Sequence, residues 1–498
     1  MSQSLRPDGF PIEVDGVEIA TPGLTGEVEV HYARTPGTRA ADEATPVLVE
    51  ALDATGAREQ LTIAIRDHAE EWQPPGTLTR STSRGEPAIA VKVPGPGSGM
   101  GQVLLAADED GVLRWVAPDD IPPEESVTRG GDSRTYTVPK SVVPAPDSGR
   151  RGLVGALGKK VLKVLAFKLI DAAAGAAAQL FASRWEKDKH PHRLRSFERG
   201  TYRTGDVPAL TPAEVASLTG GPALLLVHGT MSVTHGAFRR LPEDLVQRLN
   251  DAYSGRVFAF DHPTVSVTPT ENVKWLAAQL RDAQLTVDVL AHSRGGLVAR
   301  VLAEHPEEAG LPPGALNVRK VVMVGTPNAG TALAHPQHLG ELVDTWTNLL
   351  ELVPDNAVTD VLAVIVSVVK QLAVGALGGL DGIMSMNPSG SYLSEFLNGP
   401  NASPFPGPGG AYFAVASNFE PAEGDPLGRF ARDRVTDAIF EKAPNDLVVP
   451  HDGVFSNNGS PRFPIADPVK IGAADAIDHS SYWVSDPALK LFADVLKP

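Results

Sequence analysis

One stretch restricts the fold of this chain more than any other. Between Leu285 and Leu290 apolar residues alternate with Thr286 and Asp288, the pattern of a strand. From Leu297 the spacing of Val298, Val301 and Leu302 is that of a helix. The intervening residues read Ala291-His292-Ser293-Arg294-Gly295-Gly296, so a strand turns into a helix within a few residues and Ser293 stands on the turn. So abrupt a reversal drives the serine into a sparsely allowed backbone region, and only small residues fit two positions to either side. Ala291 and Gly295 occupy those positions. The hydroxyl is thereby lifted clear of the sheet, at the positive end of the following helix.

The same alternation continues on both sides. Ala223 to Val227 and Val257 to Phe260 read as buried strands, Leu241 to Leu249 and Asn272 to Leu280 as helices. Lys320 to Val324 and Tyr412 to Ala416 are further strands. Strands alternating with helices imply a doubly wound, mostly parallel sheet. At 498 residues the chain exceeds one ordinary core. We expect a β-rich accessory domain over 1–145, a sandwich or barrel, because short alternating runs such as Gly26 to Tyr32, Gln60 to Ile65 and Ile89 to Val93 fill it. A hairpin is expected from Val103–Ala106 and Val112–Val116 around Asp110-Gly111. A basic connector over 146–204 follows, and the α/β domain occupies 205–498.

The connector opens on a polar linker, Pro144 to Arg150, and then reads as a helix from Arg151 to about Trp185. Arg150, Arg151, Lys159, Lys160, Lys163 and Lys168 make it basic within a chain of net charge −16. Two readings fit: peripheral contact with an anionic membrane through 150–185, or a helix packed on its own domain with a solvated basic face. Gly152 to Lys160 is no phosphate loop, because its glycines are one residue too far apart and a lysine replaces the magnesium-binding hydroxyl. The acidic balance argues against nucleic acid as a partner, and the lack of cysteine excludes disulfides and thiolate chemistry. The polar N-terminus has no signal-peptide pattern, so a cytoplasmic protein is expected.

A serine hydroxyl needs a base, and the base needs an orienting carboxylate. The turn at Ser293 resembles the nucleophile elbow of the α/β-hydrolases, with Ala291 in place of the usual first glycine. In that family acid and histidine follow the serine. Asn445-Asp446-Leu447-Val448-Val449-Pro450 resembles the lipase loop Asn-Asp-Gly-x-Val, with Leu447 replacing glycine. Asp478-His479-Ser480-Ser481-Tyr482-Trp483 resembles the histidine loop before the last helix, here Pro487 to Leu496. The resemblance implies Ser293 as nucleophile, His479 as base and Asp446 as its partner. Glu420, Asp425, Asp452 and Asp478 remain alternative acids, and His451 an alternative base.

His228-Gly229-Thr230-Met231 resembles the His-Gly-x oxyanion loop, which implies backbone donors at Thr230 and Arg294. Beside this, His228 is expected to brace its loop and His292 to serve packing. Gly325 to Thr331 resembles the Gly-Thr-Pro-x-x-Gly-Ser loop of lipases, and Phe260 to Thr264 a loop of bacterial members. The resemblance covers Pro222 to the C-terminus and implies a lipase/esterase-type serine hydrolase acting on lipid or small-molecule esters, with no cofactor. An insertion over about 332–400, strongly apolar from Val361 to Leu380 but broken by Lys370 and Gln371, is expected to form a helical lid or else a buried core helix. A non-catalytic scaffold with a protein partner on its N-terminal domain, and an acyltransferase or amidase using the same three residues, are the competing readings.

Overall fold

The computed structural model describes residues 2–33, 46–70, 79–81, 88–107, 112–119, 133–140, 159–169, 181–280, 284–312, 314–350, 357–375, 380–400, 410–421, 433, 436–457, 463 and 465–498. The expected turn at Asp110-Gly111, the linker Pro144 to Arg150, the start of the basic connector through Gly158, and Asp425 lie outside the described residues. Two compact units result. One contains Met1–Phe181 and Trp346–Gly378, the other Ala182–Thr345, Gly379–Glu423 and Arg432–Pro498.

The second unit is organised by a seven-stranded sheet in the order Arg193–Ser196, Val257–Asp261, Ala223–Val227, Leu285–His292, Leu316–Val324, Ala411–Ser417, Val469–Ile471. Only Arg193–Ser196 runs antiparallel to its neighbour; the other pairings are parallel. Ala223–Val227 and Val257–Asp261 are buried at every position, because helices cover both faces of a parallel sheet. From Ala223–Val227 the chain steps to one side and then crosses to the other. The two strands on either side of this reversal, Ala223–Val227 and Leu285–His292, end beside one another, and a crevice at their carboxyl ends is where such sheets place their chemistry. This is the α/β-hydrolase arrangement that the sequence motifs imply. The helices Glu243–Ala252, Pro269–Leu280, Gly295–Glu304 and Asp486–Val495 stand where the apolar periodicity puts them. The two edge strands escaped the sequence reading because Arg-Leu-Arg-Ser and Val-Lys-Ile are too short to show a period.

Charges buried in this unit are matched individually. Asp288, on the central strand, is inaccessible; it accepts from the Tyr253 hydroxyl at 2.5 Å and from Arg319 Nε and Nη2 at 3.0 and 2.5 Å. On the helix after Ser293, Arg300 and Glu304 form a pair with both side chains fully buried. Arg300 also donates to Asn398 and to the Leu397 carbonyl, and the Tyr412 hydroxyl donates to Glu304. That network ties the elbow helix to the segment around Asn398.

The first unit holds two antiparallel sheets. Six strands run in the order Gln3–Ser4, Leu24–Tyr32, Ala57–Glu70, Lys159–Lys168, Met100–Ala107, Leu113–Val116, and four in the order Ile12–Val14, Val17–Ala20, Ala88–Pro94, Ser133–Pro139. Ile19, Ile89 and Val91 from one sheet and Ile63, Leu104 and Leu162 from the other share one apolar core.

Here the expected basic helix is corrected. Lys159–Lys168 is an inner strand, paired on one side with Ala57–Glu70 and on the other with Met100–Ala107, and among the described residues of this span only those of Phe181–Lys189 are helical. A strand covered on both faces carries a continuous apolar run, which periodicity alone does not separate from a buried helix. The Lys160 ammonium donates to the Lys140 carbonyl and Lys163 pairs with Glu59 at 2.9 Å, so these cations have partners within the unit. No helix among the described residues is long and apolar enough to cross a membrane.

The span expected to close over the serine is divided between the units. Trp346–Gly378 belongs to the first, where helix Ala357–Ala373 packs on helix Pro46–Thr55 and on strand Met100–Ala107. From Val361 to Val369 that helix is buried on all sides, as an apolar surface all round it requires. Lys370 ends the run with its ammonium on the Thr55 carbonyl, at the C-terminus of the neighbouring helix, and 5.4 Å from the Phe167 ring centre. Burial pushes its pKa down to about 8.

Replacing Arg300 with Met should strand Glu304 without its cation in the interior. A loss of about 3–5 kcal/mol is expected, read from the shift of the denaturant midpoint in the transition reported by the second unit's tryptophans.

Candidate active site

The turn at Ser293 is built by crowding. Its backbone has φ 53°, the left-handed region that a serine adopts only when its surroundings force it. A Cβ at Gly295 would stand 2.4 Å from the Val227 carbonyl oxygen, and one at Gly229 would stand 2.5 Å from Ser293 Cβ. The helix therefore starts hard against the end of the neighbouring strand, and the His228–Met231 loop passes directly beside the serine. The Ser293 amide donates to the Val324 carbonyl at 2.8 Å, which fixes the turn from the neighbouring strand Leu316–Val324.

Asp446 and His479 are brought together. His479 Nδ1 lies 2.7 Å from Asp446 Oδ2, and the His479 amide donates to the Asp446 carbonyl at 2.9 Å. Burial would raise the Asp446 pKa, but the His479 ring and the donors around the carboxyl outweigh it and hold the value below the ordinary one. Val448 and Val449 amides donate to Oδ1 at 3.0 and 2.8 Å, and the Tyr482 hydroxyl donates to Oδ2 at 2.7 Å. An ionised Asp446 obliges His479 Nδ1 to be the donor, which leaves Nε2 as the basic nitrogen of the neutral ring.

Ser293 is joined to this pair through its neighbour. His292 Nε2 donates to the His479 carbonyl at 2.9 Å, and the two rings are 4.9 Å apart. His292 thus packs and braces, as its place in the motif implies. Gly325 closes the arrangement: a Cβ there would meet Asp446 Oδ2 at 3.1 Å and His479 Cε1 at 3.2 Å.

The alternatives fall elsewhere. His451 pairs with the exposed Asp452 at 2.8 Å, Asp478 caps the amide and hydroxyl of Ser480, and Glu420 is exposed. Tyr482 is the residue that the sequence reading passed over. Its partner Asp446 lies 36 positions away along the chain, so no local signal marks it. Leu447 stands at φ 78°, a conformation natural to the glycine of the related motif, and its side chain is fully buried.

Thr230 and Arg294 flank the serine at the two places where backbone donors are expected, and both are inaccessible. Thr230 donates its hydroxyl to Met386 Sδ at 3.4 Å, and the Met231 amide is held by Thr264 Oγ1 at 3.0 Å. His228 Nε2 accepts from the His262 amide at 3.2 Å, so its Nδ1 carries the proton given to the Gly229 carbonyl at 3.1 Å. His228 is a brace. Among the described residues no group of His, Asp and Glu is placed to hold a metal ion.

A family model with the description "Domain of unknown function (DUF7379)" matches residues 189–497. None of the curated proteins matches the chain. Among solved structures it is similar to a lipase of Bacillus licheniformis in its mature form, at 20% identity over 56% of this chain and 92% of that one, TM-score 0.35. It is also similar to an α/β-hydrolase family protein of Desulfitobacterium hafniense, at 15% over 56% and 97%, TM-score 0.31. A third is lipase 1 of Pelosinus fermentans, at 15% over 54% and 98%, TM-score 0.31.

The buried histidines make stability depend on pH. Burial pushes His190 and His228 from 6.5 down to about 4, and His292 to about 3. Between those values the unfolded chain binds protons that the folded one refuses, so stability rises with pH across the window. The denaturant midpoint should be level between about pH 6.5 and 8, where neither these histidines nor Lys370 changes its proton count, and fall steadily toward pH 4. His190→Gln should make that fall shallower.

Proposed function

The chain belongs to the family described as a domain of unknown function (DUF7379), and from that premise we propose that it is a serine hydrolase that cleaves carboxylic esters through an acyl-enzyme. One observation carries the reading. The serine with φ 53° at the carboxyl edge of the sheet adjoins His292, whose ring donates to the backbone of a histidine already bonded to a buried aspartate at 2.7 Å. A scaffold has no use for a strained serine, an oriented imidazole and a four-fold saturated carboxylate at one place.

In the proposed reaction Ser293 Oγ attacks the ester carbonyl carbon while His479 Nε2 takes the hydroxyl proton. Asp446 keeps the imidazole in the tautomer that can do so and stabilises the imidazolium that forms. The carbonyl oxygen gains negative charge and is met by the amides of Thr230 and Arg294, donors that cannot rotate away. Collapse breaks the bond to the leaving alcohol, which receives its proton from His479. Water, deprotonated by the same nitrogen, then releases the acid and frees the serine. Acyl transfer to another alcohol or to an amine would differ only in this last nucleophile.

Ser293→Ala and His479→Ala should each lower kcat/KM for p-nitrophenyl esters by at least about 1,000-fold, and Asp446→Asn by less, because serine and base remain. A fluorophosphonate should label Ser293 in the native chain and not in Ser293→Ala. Folded native protein that neither labels nor turns over any ester would sink the proposal. Running the same assay from acetyl to long acyl chains defines the acyl pocket.

A further inference from the structure

A second buried carboxylate stands close to this site with no part in the proton relay. Glu186, on the helix Phe181–Lys189 and just ahead of the family-matched region, is 1% exposed. A carboxylate so far from water is strongly unfavourable unless donors fill its lone pairs. One loop fills them all. The amides of Thr264 and Val265 donate to Oε1 at 2.6 and 2.8 Å, and the amide and hydroxyl of Ser266 donate to Oε2 at 2.8 and 2.7 Å. The Thr264 hydroxyl also lies 3.3 Å from Oε1.

The same loop meets a buried cation. The Arg294 guanidinium, fully enclosed, donates from Nη2 to the Val267 carbonyl and from Nε to the Gly382 carbonyl at 2.8 Å. The loop's amides thus face an anion and its last carbonyl a cation, which leaves it a single orientation. That orientation matters at one atom. Thr264 Oγ1, with its own proton directed at Glu186, accepts the Met231 amide at 3.0 Å. Met231 sits at φ 51° immediately after Thr230, so this bond holds the strained turn that aims the Thr230 amide.

We infer that Glu186 is a positioning residue for the oxyanion site, acting through Thr264 on the Thr230–Met231 turn. The inference rests on the hydrolase reading, in which the Thr230 amide meets the developing oxyanion. Preorganised donors lose much of their value when displaced by a fraction of an ångström, so a residue that touches no substrate can govern the rate.

Glu186→Gln keeps the size of the side chain but turns one carboxylate oxygen into an amide that opposes backbone donors. In the full chain, kcat for p-nitrophenyl butyrate should fall about 10- to 100-fold while KM changes by less than about 3-fold. Binding of a trifluoromethyl ketone, whose adduct oxygen occupies the same donors, should weaken in parallel with kcat/KM. Hydrogen exchange of the peptide containing Met231 should quicken. Thr264→Val removes the Met231 acceptor while leaving Glu186 charged and holding its four shorter hydrogen bonds, and should reproduce a smaller kcat loss, which serves if Glu186→Gln does not fold. A variant that melts earlier yet keeps kcat, ketone affinity and Met231 protection overturns the inference and leaves the hydrolase reading intact. A native chain without turnover or Ser293 labelling overturns both.

Discussion

The contact between the start of the Gly295–Glu304 helix and the end of the Ala223–Val227 strand is the constraint from which the rest of the second unit follows. With 2.4 Å between a Cβ at Gly295 and the Val227 oxygen, the helix can begin there only as glycine. That approach holds Ser293 in its left-handed conformation and brings the His228–Met231 loop alongside it. In the proposed reaction the Ser293 hydroxyl and the backbone donors of Thr230 and Arg294 would then be fixed with respect to one another before any substrate arrives. Preorganisation of that kind spares the reaction the cost of assembling its own solvent shell.

Buried charge completes what the crowding begins. Glu186, Asp261, Asp288, Glu304 and Asp446 are all removed from water in this unit, and each is filled by named donors. Asp261 shows the pattern: burial would raise its pKa, but His228 nearby, the Thr234 amide and Arg193 hold it at about 2. Apolar packing sets how close two elements come but not how a loop is turned. A saturated carboxylate accepts only from donors pointing at it, so it specifies the orientation of the loop it holds. Carboxylates of this type stand at the Thr264–Ser266 loop, held by Glu186, and at the His479 loop, held by Asp446.

The motifs were legible because their constraints are local. A strand turning into a helix over Ser293, small residues around it, and loops directly after strands all leave marks within a few positions. The failures share a cause as well. Lys159–Lys168 read as helix because a strand buried on both faces loses its alternation. For helix Ala357–Ala373 the sequence left lid and buried core helix open, because an apolar run does not show which core receives it. Tyr482 and Glu186 act on groups distant in sequence, at Asp446 and Thr264, and no spacing betrays such a pair.

The sequence by itself determined the order of strands and helices around Ser293, the identity of its candidate partners, and the absence of cysteine chemistry, since these depend on neighbours along the chain. Tertiary structure alone decided that Asp446 rather than Asp452 or Glu420 meets His479, that Trp346–Gly378 joins the first unit, and that Glu186 turns the loop beside Thr230. Those outcomes depend on which residues the sheet brings within about 3 Å of one another, and distance through space is not written in distance along a chain.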